Sequence, residues 1–159
     1  MSLFAVNILL AILWAALWAS WSLQSLATGF VVGFAALWVA RPLFSERPRY
    51  FRRAFAIIDL FFYFLWELLI SSLKVAWDVI TPQDLARPAL IEMPLDVERD
   101  IEILLVTNLI SLTPGTLSLD VTPDRKTLIV HAMFAEDPEA IVADLKNGME
   151  RRVREVFLP

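Results

Sequence analysis

The chain has 159 residues, of which 58% are hydrophobic and 20% charged, with a formal net charge of −4 and no cysteine. The missing cysteine excludes disulfides and thiolate metal sites, and with no gathered basic face the chain reads as no nucleic-acid binder. The apolar share exceeds the globular norm of roughly 45–50%, so part of the chain reads as a membrane protein.

The excess is uneven. Met1–Ala40 contains no Asp, Glu, Lys or Arg, whereas Arg41, Arg47, Arg49, Arg52 and Arg53 follow in quick succession, opposed only by Glu46. A long uncharged run that ends in arginines is how a membrane segment meets the cytoplasm. The N-terminus lacks the Lys or Arg that opens a secretory signal, and its apolar stretch is too long for one, so an uncleaved anchor is expected.

Leu3 to about Leu23 is the first candidate span and Leu26 to about Phe44 the second, since roughly 20 helical residues cross a hydrocarbon core of about 30 Å. Ser20, Ser22, Gln24 and Ser25 are the only polar break between them, which requires a tight antiparallel hairpin. Trp18, Trp21 and Trp38 lie near the ends, where an indole keeps its ring apolar and its N–H wet. Ala11, Ala15 and Ala19 recur every four residues on the first helix, and Ser25, Gly29 and Gly33 on the second. These small residues form candidate seams for close helix packing. Pro42 and Pro48 break the helix ahead of and within the arginine-rich cytoplasmic linker, residues 45–53.

Residues 54–81 are apolar and aromatic yet carry Asp59, Glu67, Lys74 and Asp78. At ~100° per residue these four fall with Tyr63 and Ser71 on about a third of the helix surface, and the opposite face is apolar. Two situations produce this pattern: an amphipathic helix in the interface, or a third span whose polar stripe meets partner helices. The basic residues that follow favour the interfacial helix, because a third crossing would export them all. Asp59, Glu67 and Lys74 alone could touch an ion path. We read Asp59, Glu67, Lys74 and Asp78 instead as candidate subunit-docking residues, with Glu67 and Lys74 close enough to pair only loosely.

Residues 82–159 read as a small cytoplasmic α+β domain. Ala89–Leu95, flanked by Pro88 and interrupted by Pro94, predicts an edge strand. Val97–Leu112 carries a helical stripe of Ile101, Leu104, Leu105, Leu109 and Leu112, with Glu98, Asp100 and Glu102 at the positive end of the dipole. Thr113-Pro114-Gly115 ends it. A hairpin follows, with Leu117, Leu119 and Val121 alternating before a polar turn at Pro123–Lys126 and a strand at Thr127–Phe134. Asp137 before Pro138 is an N-cap. The last helix spaces Ile141, Val142, Leu145, Met149, Val153 and Val156 on one face, with Glu150 and Arg154 predicted on its outer face. The expected architecture is therefore a membrane α-helical hairpin (1–44), a long amphipathic helix and a β-α-β-β-α domain.

The run Asn108–Ala140 resembles the signature region of the E subunit of multisubunit cation/proton antiporters of the Mrp/Mnh/Pha type. The residues that carry it are Thr113, Pro114, Gly115, Thr116, Asp120, Asp124, Arg125, His131, Ala132 and Asp137, and the layout of the whole chain agrees. The resemblance implies a multi-pass accessory subunit of a bacterial inner-membrane complex that exchanges Na⁺ for H⁺ and supports pH and Na⁺ homeostasis. It implies other membrane subunits as partners, with large complex-I-like members carrying the ion path.

No catalytic constellation emerges, so neither an enzyme nor a bound metal or cofactor is expected. His131 is the only histidine and has no partner for a zinc site. Ser111 lacks a nucleophile elbow, and Thr113–Thr116 lacks the GK[ST] of a phosphate loop. The competing reading is a stand-alone membrane-anchored cytosolic module that binds a ligand or protein.

Overall fold

Ser2 caps the first helix, its Oγ accepting from the Ala5 amide at 3.3 Å, and α1 runs Leu3–Leu17. The computed structural model describes residues 2–43, 49–82 and 86–158, and the chain divides into two units, Met1–Ala54 and Phe55–Pro159. Residues 44–48 of the expected linker, Arg47 and Pro48 among them, lie outside the described residues.

In the first unit α1 ends earlier than its apolar run predicts. Ala19 takes the left-handed conformation at φ 46°, its N–H donates to Ala16 O at 3.1 Å, and Ser20 N–H donates to Ala15 O at 2.9 Å. This is a Schellman stop, which satisfies carbonyls the helix end leaves bare. Ser22 then caps α2, Leu23–Val39, by accepting from Ser25 N–H at 3.1 Å. With 15 and 17 residues, α1 and α2 are shorter apolar helices than the expected spans.

The two helices pack closely because their facing side chains are small. Ala11, Ala15, Gly29 and Gly33 are buried. A Cβ at Gly29 would come within 2.7 Å of Trp14 Cβ and 3.0 Å of Ala11 Cα, and one at Gly33 would collide with Asn7 Oδ1. Two of the expected seam residues sit elsewhere. Ala19 is exposed in the turn, since the helix has already ended, and Ser25 is half-buried in the first turn of α2. The start of α3, Arg49–Ile80, completes the unit. Asn7 Nδ2 donates to the Tyr50 hydroxyl at 2.7 Å. The Tyr50 and Phe51 rings lie 5.5 and 5.2 Å from that of Phe34. These aromatic contacts order Arg49–Arg53, read as linker from the sequence, as the first turns of the helix. At 32 residues α3 is long and apolar enough to cross a membrane by length and composition.

In the second unit a three-stranded antiparallel sheet has the order β1-β3-β2, from Ala89–Pro94, Thr127–Ala132 and Thr116–Val121 respectively. Ile91 opposes Val130 and Met93 opposes Leu128, so the alternate residues of the central strand enter one core. That core joins Met93, Leu128 and Val130 to Ile103, Val106 and Ile110 of α4, Asp100–Leu112, and to Val153. Both sheet edges are blunted, β1 by Pro94 and β2 by an irregularity between Ser118 and Asp120. The C-terminal helical run is α5, Pro138–Leu145, a π turn at Lys146–Glu150, and α6, Arg151–Phe157. The expected β-α-β-β-α order therefore describes this unit's domain, with β1 at an edge.

Because alanine holds a left-handed position that glycine occupies without penalty, Ala19→Gly is expected to stabilise the hairpin by about 1 kcal/mol. Thermal unfolding in detergent, followed by tryptophan fluorescence, should show a raised midpoint, and Ala19→Val a lowered one.

Candidate functional site

The polar stripe of α3 is a seat, and this chain's own domain occupies it. Within the second unit Leu60 packs against the domain core. One turn on, the Tyr63 hydroxyl abuts Gly148 so closely that no Cβ fits there. Arg152 closes the contact. Its Nε lies 2.9 Å from Asp59 Oδ2, its guanidinium carbon 3.7 Å from the Tyr63 ring centroid, and its Nη1 donates to Gly148 O at 3.1 Å. The Nε–H is not aligned for a hydrogen bond to Asp59, so attraction there is between charges, and the stacking supplies the geometry. Glu67, a further turn along, interacts with the Tyr63 hydroxyl. Near the far end of the helix Lys74 Nζ lies 4.6 Å from the Phe134 ring centroid, and Val75 approaches Gly115.

These contacts redefine the candidate docking residues. Asp59 and Lys74 engage the domain of their own chain, Glu67 lies between them, and Asp78 is half-buried on the same face. Lys74 stacks on Phe134 rather than pairing with Glu67. The opposite face, with Phe61, Phe62, Leu69 and Leu73, is exposed, as are Trp66 and Trp77 at the edge of the stripe near the angle of Asp59.

Glu150 corrects the sequence reading. Expected on the outer face, it is only 1% exposed. The reason is the π turn, whose extra residue shifts the helical phase and turns Gly148, Met149 and Glu150 all inward. Glu150 Oε1 accepts from the backbone N–H groups of Asp96 at 2.5 Å and Val97 at 3.1 Å, which pins the loop between β1 and α4. Lys146 Nζ stands 3.5 Å from Oε2, donates to Pro94 O at 2.7 Å and pairs with Asp96 at 3.0 Å. A buried carboxylate with two N–H donors and a cation is compensated rather than strained.

The residues that carried the family resemblance do local backbone work. Thr113 Oγ1 donates to Leu109 O at 2.9 Å at the end of α4. Pro114 follows, and Gly115 takes φ 91°, open to glycine. Thr116 Oγ1 donates to Ile110 O at 2.7 Å. Asp120 Oδ1 accepts from Val121 N–H at 2.8 Å beside the bulge. Asp124 Oδ1 accepts from the Thr122 hydroxyl at 2.6 Å and from Lys126 N–H at 3.2 Å; the Thr122 hydroxyl, then the amide, hold its carboxyl below the usual carboxylate range. Arg125, at φ 62°, reaches Glu98 O at 3.2 Å and pairs with Asp100. His131 is half-buried on β3, flanked by Leu90 and Leu117 across the sheet. Asp137 caps α5. Among the described residues no group of three His, Cys, Asp or Glu could hold a metal ion.

Sequence reasoning missed Arg152, Tyr63 as its platform, Glu150 and the Asn7–Tyr50 bond. A signal existed for one contact: Gly148 is the only glycine in an otherwise strong C-terminal helical run, where glycine costs about 1 kcal/mol and marks a close approach.

A family model described as Na⁺/H⁺ ion antiporter subunit matches residues 7–156. The chain is 34% identical over 151 residues to the E subunit of the Na⁺/H⁺ antiporter of Bacillus subtilis, covering 95% of each chain. It is also 34% identical to its counterpart in Alkalihalophilus pseudofirmus, again over 95% of both. Among solved structures, a chain of the membrane-bound sulfane sulfur reductase, an archaeal respiratory membrane complex, aligns with a TM-score of 0.60 and 26% identity. That alignment covers 99% of this chain and 100% of the other.

Glu150→Ala leaves one buried and one partly buried N–H group without an acceptor and is expected to cost about 2–3 kcal/mol in chemical unfolding of the full chain, whereas Glu150→Gln, which retains an oxygen, costs less. For Asp124 the folded state holds the lower pKa, so its stabilising contribution is present above the unfolded value and is lost as pH falls through the folded one. Carboxyl NMR of the full chain should titrate Asp124 below ordinary aspartates, and Thr122→Val should raise it.

Proposed function

The chain belongs to the family of Na⁺/H⁺ ion antiporter subunits, and we propose on that premise that it is an accessory, assembly-supporting subunit of a multisubunit Na⁺/H⁺ antiporter in a bacterial inner membrane. The observation that carries this is the end-to-end correspondence with its antiporter relatives, over 95% of both chains. Each of those relatives is named as one subunit of an antiporter, and this chain takes other membrane subunits of such a complex as its partners. A member of this family is part of a transporter rather than an enzyme.

The physical chemistry agrees with an accessory role. The first unit's hairpin carries no charged side chain between Leu3 and Val39, so it offers no carboxylate or amine to relay a proton. Asp59 and Lys74 of α3 are engaged with the domain of the same chain. Two short helices and one long one cannot enclose a hydrated path alone, so the ion path lies in other subunits. The hairpin anchors the chain, with small residues buried at its seam. The arginines after it support a cytoplasmic position for the C-terminal domain.

Purified chain reconstituted alone in vesicles is expected to move neither Na⁺ nor H⁺. In the assembled complex, Glu67→Gln and Lys74→Met are expected to change antiport only in proportion to complex recovered. Normal recovery with antiport abolished would assign these residues to the ion path and end the accessory reading.

A further inference from the structure

We propose that α3 lies in the plane of the membrane interface, its apolar face among lipid acyl chains just below the headgroups, while its polar face is reserved for this chain's own domain. The proposal rests on the reading of the chain as a membrane subunit. The domain meets α3 from Asp59, paired with Arg152, through Tyr63 against Gly148, to Lys74 over Phe134. Fifteen helical steps span about 22 Å. Any stretch of roughly 20 residues within Arg49–Ile80 long enough to cross the hydrocarbon includes Tyr63 and Glu67. A crossing α3 would therefore carry Arg152 and the helix around it, with Arg151 and Glu155, into the bilayer core. Charged groups and an irregular π turn on a lipid-facing domain are not tolerated there. With α3 in the interface, the domain stays in water and every contact on the stripe is kept.

The uncovered face points the same way. Phe62, Leu69 and Leu73 are 53–64% exposed with no charged side chain among them, and Trp66 and Trp77, equally exposed, border this strip on the side of Asp59. An apolar strip along a 32-residue helix exceeds what a water-facing surface carries. Lipid is the occupant because the strip follows in sequence an uncharged hairpin and an arginine-rich stretch that read as a membrane boundary, and because two indoles at its edge, between apolar and charged faces, favour headgroup depth.

The chain has no cysteine, so single thiols can be placed at will. Full-length Phe62→Cys, Leu73→Cys and, on the hairpin, Val31→Cys would each carry an environment-sensitive fluorophore in phosphatidylcholine–phosphatidylglycerol vesicles. Quenchers would be lipids with nitroxides at shallow and deep positions, and aqueous iodide. Sites 62 and 73 are expected at one shallow depth, with the shallow nitroxide the stronger quencher at both. Depths that differ by about 16 Å, the rise of eleven residues, would mean a crossing helix and overturn the proposal. Iodide quenching at 62 and 73 with site 31 protected would overturn it while leaving the membrane-subunit reading standing. Iodide quenching at all three would overturn both. Loss of lipid quenching at 62 and 73 in the assembled antiporter would give the face to a neighbouring subunit and also overturn it.

Discussion

The seating of α3 on the domain depends on where one guanidinium sits. Arg152 lies between an aspartate, an aromatic face and a helix carbonyl, and each partner restrains a different degree of freedom. The carboxylate supplies charge, the Tyr63 ring fixes the plane, and the Gly148 carbonyl ties the group to its own helix. A lysine would keep the charge, but it has no planar fork that stacks on the ring while also reaching the carboxylate and the carbonyl. The helix α3 reaches the domain mainly through side chains of this kind, which is why its amphipathic pattern is so sharply divided between a charged third and an apolar remainder.

The first unit is held by a different force. In an apolar surrounding, helices gain nothing from hiding hydrophobic surface from each other, so attraction must come from close backbone approach and dispersion. Ala11, Ala15, Gly29 and Gly33 permit that approach, and the Asn7–Tyr50 bond fixes the start of α3 against the pair. One buried hydrogen bond among aromatic rings sets register where shape alone would allow sliding.

Much of this is legible from residues alone. The hairpin, the striped helix, the edge strand, the Asp137 cap and the β-α-β-β-α order follow from periodicity and turn chemistry, which are local. The misses share a cause. The end of α1 is hidden because alanine, not glycine, holds the left-handed stop at position 19. Glu150 falls on the wrong face because a constant 3.6-residue period does not hold through a segment that contains a π turn. Asp59 and Lys74 touch Arg152 and Phe134 of their own chain, and a stripe on a wheel diagram says which side is polar but not what covers it. Arg152 and Phe134 lie many residues away, and nothing in local pattern ties them to α3.

The π turn has a mechanical meaning. Three successive residues face three different elements there: Gly148 meets α3, Met149 is buried in the unit's interior, and Glu150 holds the loop after β1. Such a turn acts as a rigid knuckle. A displacement of α3 at Gly148 is therefore separated from the β1–α4 loop by less than one turn of backbone.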